Sequence, residues 1–372
     1  MIRVLHSVSN MDRAGIETML MNYYRNIDRN TVQFDFLCNK SKPGDYDDEI
    51  LRLGGRIFKT PGLNPMKYPS YLKYMKGLFQ KYPEYRIVHA HNGPLAVYAL
   101  CAAKRNHVPI RIFHAHNNAL GLEWKLPLKL YCKSRIKDYT TNCFTCGIAA
   151  GRYYFNHDII DRNRYVLVTN AIEIEEFCFN SNTRDIIRKQ YNLWNKRVVG
   201  HVGRFESQKN HDFLIDVFFK LNRTDKNTHL VLVGEGELLD KAKSKCMAMG
   251  IENDVTFVGK SNRPSDWYQA FDVFVMPSRR EGLPVVGIEA QASDLPCVFS
   301  KNISTEVAIT NRTWFVGLNE SVETWADTIE QALSNKLRQD NREMMKKAGY
   351  DIKSEAIKLQ EIYIQLANGG MQ

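Results

Sequence analysis

At 372 residues, with 44% hydrophobic and 25% charged side chains, the chain reads as a soluble globular protein of two to three domains. No apolar run approaches the ~18 residues of a membrane span, the opening MIRVLHSV lacks the form of a signal peptide, and the eight cysteines include one CxxC, Cys143 and Cys146, with no second Cys or His pair to complete a zinc site. A cytoplasmic protein with reduced thiols and no metal is expected. The charge is uneven: residues 1–165 hold 25 Lys and Arg against 13 Asp and Glu, and the remainder 26 against 28. An anionic partner is expected for the first part: a phospholipid surface, a lipid-phosphate acceptor or nucleic acid. No basic–aromatic recognition motif supports the last.

In chain order, Ile2 to Val8 reads as a strand, followed by a loop ending at Gly15 and a helix from Ile16 to Tyr24. Strand, glycine-bearing loop and helix open a doubly wound unit, though no GxGxxG fingerprint is present. Gly15 would allow a ligand close to the backbone at an anion-friendly helix end; a plain tight turn is the alternative. Strands are expected at Phe34–Cys38, near Ile57, at Arg86–Ala90 and at Arg111–His114, with helices at Asp45–Leu53, Tyr68–Tyr82 and Pro94–Lys104. HAHN occurs twice, at residues 89–92 and 114–117, at strand ends where open α/β sheets place ligands. The alternation around Ala115 is read as sending His114 and His116 to opposite faces, so that one of them faces a given cleft. In the stretch 122–137, Lys125, Lys129, Lys133 and Lys137 recur every four residues beside Leu122, Leu126 and Leu130. That pattern suits an interfacial helix; an ordinary surface helix is the alternative. A strand running into a small-residue turn over Cys143–Ala150 and a strand at Tyr165–Val168 close the basic part, with a domain boundary placed there.

The alternation then restarts. Strand Val198–Val202 leads into Gly203, Arg204 and Lys209, whose cations match phosphate oxygens, and then a helix from His211 to Leu221. Leu230–Val233 runs into Gly234 and Gly236, Val255–Val258 ends at Gly259, and Asp266–Ala270 is a short helix. The apolar run Phe271–Met276 reads as a buried parallel strand. It is followed by a break at Gly282 and a restart at Pro284, suited to the first position of a helix. The amides of Val285, Val286 and Gly287 would be free at that helix end to bind an anion. Glu281 and Glu289 flank it, which suits a sugar nucleotide: pyrophosphate on the amides, hydroxyls on the carboxylates. Pro296–Phe299 is a strand, and Thr324–Leu333 and Asn341–Leu366 read as surface helices.

GRFESQKNH, LVGEG, FVG and DVFVMPSRREGLPVVGIEAQA, in this order, resemble the retaining glycosyltransferases of family 4, which have the GT-B fold. AGIETMLMNYYRNIDR, FDFLC, GGRIF and HAHN are similar to the branch that builds bacterial capsular or exopolysaccharides. The resemblance implies an α/β protein of two Rossmann-like doubly wound parallel-sheet domains with a cleft between them. Residues 1–168 would hold the acceptor, with the crossover helix 352–372 returning to them, and residues 169–351 would hold the nucleotide sugar. Carried over by motif, Arg204 and Lys209 contact the donor diphosphate, Glu281 faces the transferred sugar, Glu289 the ribose, and His116 the reacting sugar. Gly15, Gly203, Gly234, Gly236, Val258, Gly259, Leu283, Pro284, Val285 and Val286 complete the donor site. Ala14 stands where the family usually has a first glycine before Gly15, and Ser293–Asp294 replaces a family glycine.

The implied reaction is retaining transfer of a hexose or N-acetylhexosamine from a nucleotide sugar, with UDP expected, to a lipid-linked oligosaccharide, without a metal or other cofactor. The enzyme would sit peripherally on the inner face of the membrane. A GT-B sugar-nucleotide epimerase and a non-catalytic sugar-binding subunit are the alternatives.

Overall fold

The computed structural model describes residues 1–117, 126–155, 157–334 and 337–369. The chain divides into two units, Met1–Ala171 with Asp351–Gln372, and Ile172–Tyr350.

The first unit is built on strands β1 Ile2–Val8, β2 Val32–Cys38, β3 Ile57–Lys59, β4 Ile87–Ala90, β5 Ile110–Ala115, β6 Asn142–Thr145 and β7 Val166–Leu167, all parallel, in the order β3-β2-β1-β4-β5-β6-β7. Both faces are covered by helices, so β1 and β2 are buried at almost every position instead of alternating in and out. One covering helix is Ile352–Ala367. Its Ile352, Ala356, Leu359, Tyr363 and Leu366 form one apolar stripe buried in the same core as Phe34 and Phe36. The carboxylate of Asp351 accepts the Ser354 amide at 3.1 Å and starts this helix.

The second unit repeats the plan with β8 Arg197–Val202, β9 Thr228–Val233, β10 Val255–Gly259, β11 Val273–Met276, β12 Cys297–Ser300 and β13 Thr313–Val316, parallel in the order β10-β9-β8-β11-β12-β13. In both sheets the winding reverses beside the first strand, between β1 and β4 and between β8 and β11. Loops leaving the carboxyl ends of those strands therefore open a crevice suited to a ligand.

Several sequence readings change. Residues 341–366 are two helices, Arg342–Lys347 and Ile352–Ala367, separated around Gly349, which takes φ +80° as a helix-terminating glycine does. The second is a core element, not a surface one. The stretch after Cys143 turns helical at Ile148–Tyr154 once β6 ends at Thr145. β13 and the helix Ser181–Gln190 had no sequence reading; the helix is capped by the Asn180 side chain, which accepts from the Thr183 amide at 3.0 Å. All eight cysteines are free thiols. No described helix is long and apolar enough to cross a membrane.

Candidate active site

In the second unit, the loops after β8 and β11 meet at the switch point. Lys209, in a short 3-10 turn at Ser207–Lys209, places Nζ 2.7 Å from Oε1 of Glu281, which lies beyond β11. Both side chains are largely buried. Asn210 and Arg279, which sequence reasoning missed, tie the same loops. Asn210 Nδ2 donates to the Pro277 carbonyl at 3.2 Å, Arg279 Nη2 donates to Asn210 Oδ1 at 2.9 Å, and the Arg279 amide donates to the Gln208 carbonyl at 2.8 Å. Asn210 takes φ +60°, a left-handed conformation that asparagine tolerates better than most residues, and it opens the helix His211–Thr224.

Arg204 does not join this pair. It is 63% exposed and held by Glu206 at 2.9 Å, an exposed contact contributing about 0–1 kcal/mol. Pro284 is the N-cap of the helix Val285–Ala292 and not its first residue. The Gly287 amide is not free either, because it donates to the Pro284 carbonyl at 3.0 Å. Val285 and Val286 begin the helix with no side-chain cap and no acid in the first turn. That end therefore keeps its positive dipole uncompensated by its own residues. Leu283 packs half-buried against the core beside it.

The loop glycines have a packing duty that spacing alone does not show. Gly234 takes φ +145°, and a Cβ there would lie 2.1 Å from the Gly203 carbonyl oxygen; at Gly236, φ is +155° and a Cβ would meet the Phe205 backbone at 2.6–2.8 Å. The Gly203 amide donates to the Val233 carbonyl and the Gly234 amide to the Gly259 carbonyl, each at 2.9 Å. The loops after β8, β9 and β10 are thus laced backbone to backbone. Val258 lies half-buried at the end of β10, where the register with β9 slips before Gly259.

Glu289 accepts a hydrogen bond from the Tyr268 hydroxyl at 2.7 Å. Burial raises its carboxyl pKa to about 7, against the Tyr268 hydrogen bond, with Glu176 adding to the rise. A folded pKa above the unfolded one means that the native state holds a proton the unfolded state has lost. This contribution therefore disfavours folding increasingly as pH rises from about 4.5 to about 7. The buried imidazoles act oppositely below pH ~6.5, where the unfolded chain takes up protons first. Glu289→Gln is expected to gain stability over the unmodified protein progressively from pH 5 to pH 7.5, by up to about 3 kcal/mol. Denaturant melts at each pH measure it, and a pH-independent difference would refute it.

In the first unit, His116 lies just beyond β5 and is one of five buried histidines among the described residues. His6 Nδ1 lies 3.0 Å from His91 Nε2, and His91 Nδ1 lies 3.0 Å from His116 Nε2. Each neutral imidazole has one donor, so this file is ordered head to tail, and the direction in which it runs sets the His116 tautomer. Burial drives His6 and His116 down to about 3 and His89, His91 and His114 well below their ordinary range. His89 Nδ1 is hydrogen-bonded to Tyr363 at 2.7 Å.

The reading that His114 and His116 face opposite ways is wrong. Residues two apart on a strand share a face, and the two ring centroids are 4.0 Å apart. The groups His6–His89–His91 and His91–His114–His116 bring ring nitrogens within 4.8 Å of one another and are the described candidates for a metal ion. The two imidazole–imidazole hydrogen bonds explain the closeness of His6, His91 and His116 without one. Gly15 opens the helix Gly15–Asn26, and a Cβ there would meet nothing within 4 Å.

Residues 183–352 match the family of group 1 glycosyl transferases, and residues 13–176 match Glycosyltransferase Family 4. A putative glycosyltransferase of Bacillus subtilis strain 168, EpsF, is 36% identical over 369 residues, covering 97% of this chain and 96% of that protein. The chain belongs to glycosyltransferase family 4. An Escherichia coli UDP-Gal:alpha-D-GlcNAc-diphosphoundecaprenol alpha-1,3-galactosyltransferase is 24% identical, covering 95% of this chain and 94% of its own. Among solved structures, Anabaena HepE in complex with UDP-glucose superposes with a TM-score of 0.78 at 16% identity, over 98% of this chain and 100% of that one. The fold is GT-B.

The lysine stripe of this glycosyltransferase is only partly a helical one. Lys125 lies outside the described residues. The helix runs Leu126–Arg135 with Lys129 and Lys133 half-buried, and Lys137 falls in the 3-10 turn Ile136–Asp138. Lys133 Nζ sits 3.4 Å from the centre of the Tyr153 ring. Leu128, Cys132 and Ile136 turn inward, whereas Leu130 and Tyr131 are 49% and 64% exposed. The apolar stripe expected through Leu126 and Leu130 is therefore not the core face.

Proposed function

We propose that this glycosyltransferase moves a hexose or N-acetylhexosamine from a UDP-sugar to a lipid-linked oligosaccharide in bacterial surface polysaccharide synthesis, with retention and without a bound divalent metal. The observation that carries the reading is the Lys209–Glu281 pair at the switch point of the second sheet.

Cleaving the C1–O bond leaves charge on the β-phosphate oxygens. Lys209, Arg204 and the amides of Val285 and Val286 are the groups to stabilise it. Arg204 needs to exchange only its exposed contact with Glu206 to serve. Glu281 accepts from hydroxyls of the transferred sugar and holds the Lys209 ammonium in place, and Glu289 accepts from the ribose. His116, held by His91, is assigned to the reacting sugar, and Gly15 to the diphosphate. UDP as the donor nucleotide is supported by the UDP-glucose complex of HepE. The lipid-linked acceptor is supported by the name of the E. coli relative and by the basic excess of residues 1–165. Half-exposed Leu130 and Tyr131, together with Lys129 and Lys137, suit a peripheral contact with the inner face of an anionic membrane.

A thermal-shift screen with UDP, GDP, ADP and their sugars tests the donor, because a ligand that binds only the folded state raises its melting point. UDP-sugars are expected to give the largest shift, and a larger response to GDP or ADP compounds would displace them. Transfer to a polyprenyl-diphosphate-linked sugar should be unchanged in EDTA. Loss of activity that Mg²⁺ restores would overturn metal independence.

A further inference from the structure

The amino-terminal ends of β8, β11 and β12 hold a second concave site. The donor loops leave the opposite, carboxyl ends of β8 and β11; six residues of β8 separate the two by about 20 Å. The cavity is about 530 Å³; of the basic side chains in its lining, Lys196, Arg197 and Arg312 are paired with acids outside it, and Arg184, Arg188 and Arg338 are left with Asp272, the one acid of the lining.

Three guanidinium groups converge here. Arg184 and Arg188 both pair with Asp272, at 2.5 and 3.1 Å. Arg338 is bonded to the carbonyls of Tyr268 at 3.2 Å and of Phe271, with no carboxylate partner among the described residues. Asp294, whose charge also reaches Arg338, is paired with Arg312 at 2.8 Å. Further carbonyls fix the cations: Gln269 and Phe271 accept from Arg184, and Ala270 from Arg188, each at 2.9 Å. Carbonyl oxygens orient a guanidinium without cancelling its charge, so within the lining these three cations share one anion and two positive charges are in excess, with Asp185 and Asp294 acting on Arg188 and Arg338 from outside it. Burial and the neighbouring Arg184 push the Arg338 guanidinium down to about 9. At the mouth, Trp194 is 60% and Leu337 80% exposed.

We propose that this pocket binds a phosphate dianion carried by a monoester, its oxygens on Arg184, Arg188 and Arg338 and its apolar portion against Trp194 and Leu337. Planar guanidiniums held in fixed orientation match phosphate oxygens two at a time, and a dianion supplies the two missing charges. The monoester is either a lipid headgroup or a soluble phosphate.

Thermal unfolding in inorganic phosphate, against sodium chloride of equal ionic strength, tests the pocket. The melting temperature should rise with phosphate, half-maximally at millimolar concentration, both in the unmodified protein and in Arg204→Ala/Lys209→Ala. Leu337→Glu, at an exposed position where folding is unaffected, should weaken the response at least tenfold by setting a carboxylate at the mouth; Arg338→Met should do the same from inside. Equal stabilisation by chloride, or a response lost in Arg204→Ala/Lys209→Ala and kept in Leu337→Glu, would overturn the proposal. Co-sedimentation with phosphatidylcholine vesicles, with and without phosphatidic acid, separates the sources once the phosphate response is established. Binding to phosphatidic acid that Leu337→Glu abolishes identifies a lipid headgroup, and no such binding identifies a soluble phosphate ester.

Discussion

Replacing Arg204 and Lys209 together by alanine is expected to lower kcat about 10²–10⁴-fold. In the proposed reaction each would make a charge-assisted contact of roughly 1.5–3 kcal/mol to the departing diphosphate, at about 1.4 kcal/mol per decade of rate. The two single variants should differ in kind. Arg204 is exposed and paired with Glu206, so Arg204→Ala should leave stability within ~0.5 kcal/mol and act on turnover alone. Lys209 shields Glu281 at 2.7 Å in a site where both side chains are largely buried. Lys209→Ala leaves that carboxylate uncompensated, so it should lose stability as well as rate. Initial-rate kinetics beside denaturant melts separate the two effects. A double variant within tenfold of the unmodified enzyme would remove these cations from the mechanism.

Gly234→Ala should be among the most damaging single-methyl changes in the chain. Its φ of +145° excludes side chains, and the added carbon would sit 2.1 Å from the Gly203 carbonyl oxygen, a backbone atom that has no rotamer to escape into. Backbone strain and overpacking each cost about 1–3 kcal/mol, so a loss of about 3–5 kcal/mol is expected. Gly15→Ala is the contrast, since its methyl would enter open space. It should leave stability within ~0.5 kcal/mol while weakening donor binding, because the assigned ligand needs that space. The urea midpoint of each variant, with its donor affinity, decides the matter. An equal loss of stability in both would refute the distinction between a glycine kept for packing and one kept for a ligand.

Much of the fold was legible because its strands are short apolar runs, each ending in a polar or glycine-bearing loop. Parallel strands buried on both faces need no alternation, so Phe34, Phe36, Phe274 and Val275 reveal themselves by hydrophobicity alone. β13 escaped because TWFV is only four residues long and three of them are half-exposed. The helix Ser181–Gln190 escaped because its sequence is polar and, besides Ile187 against the core, its hold on the unit comes from Arg184 and Arg188 reaching carbonyls far along the chain. Nothing local in SNTRDIIRKQ announces those partners.

By itself, the sequence determined the alternating α/β plan, the order of its loops and which of them carry cations, carboxylates and glycines. These follow from residue type and spacing, which local sterics and hydrophobic periodicity govern. Tertiary structure alone decided how those groups are used. Lys209 meets Glu281 while Arg204 turns to Glu206. Gly234 serves its neighbouring loop. His6, His91 and His116 join across three strands into one hydrogen-bonded file. Arg184 and Arg188 meet on Asp272 at the far end of the sheet, and Arg338 joins them on backbone carbonyls. Such pairings depend on strand order and register, which join residues tens of positions apart, and on burial, which sets the charge each one carries.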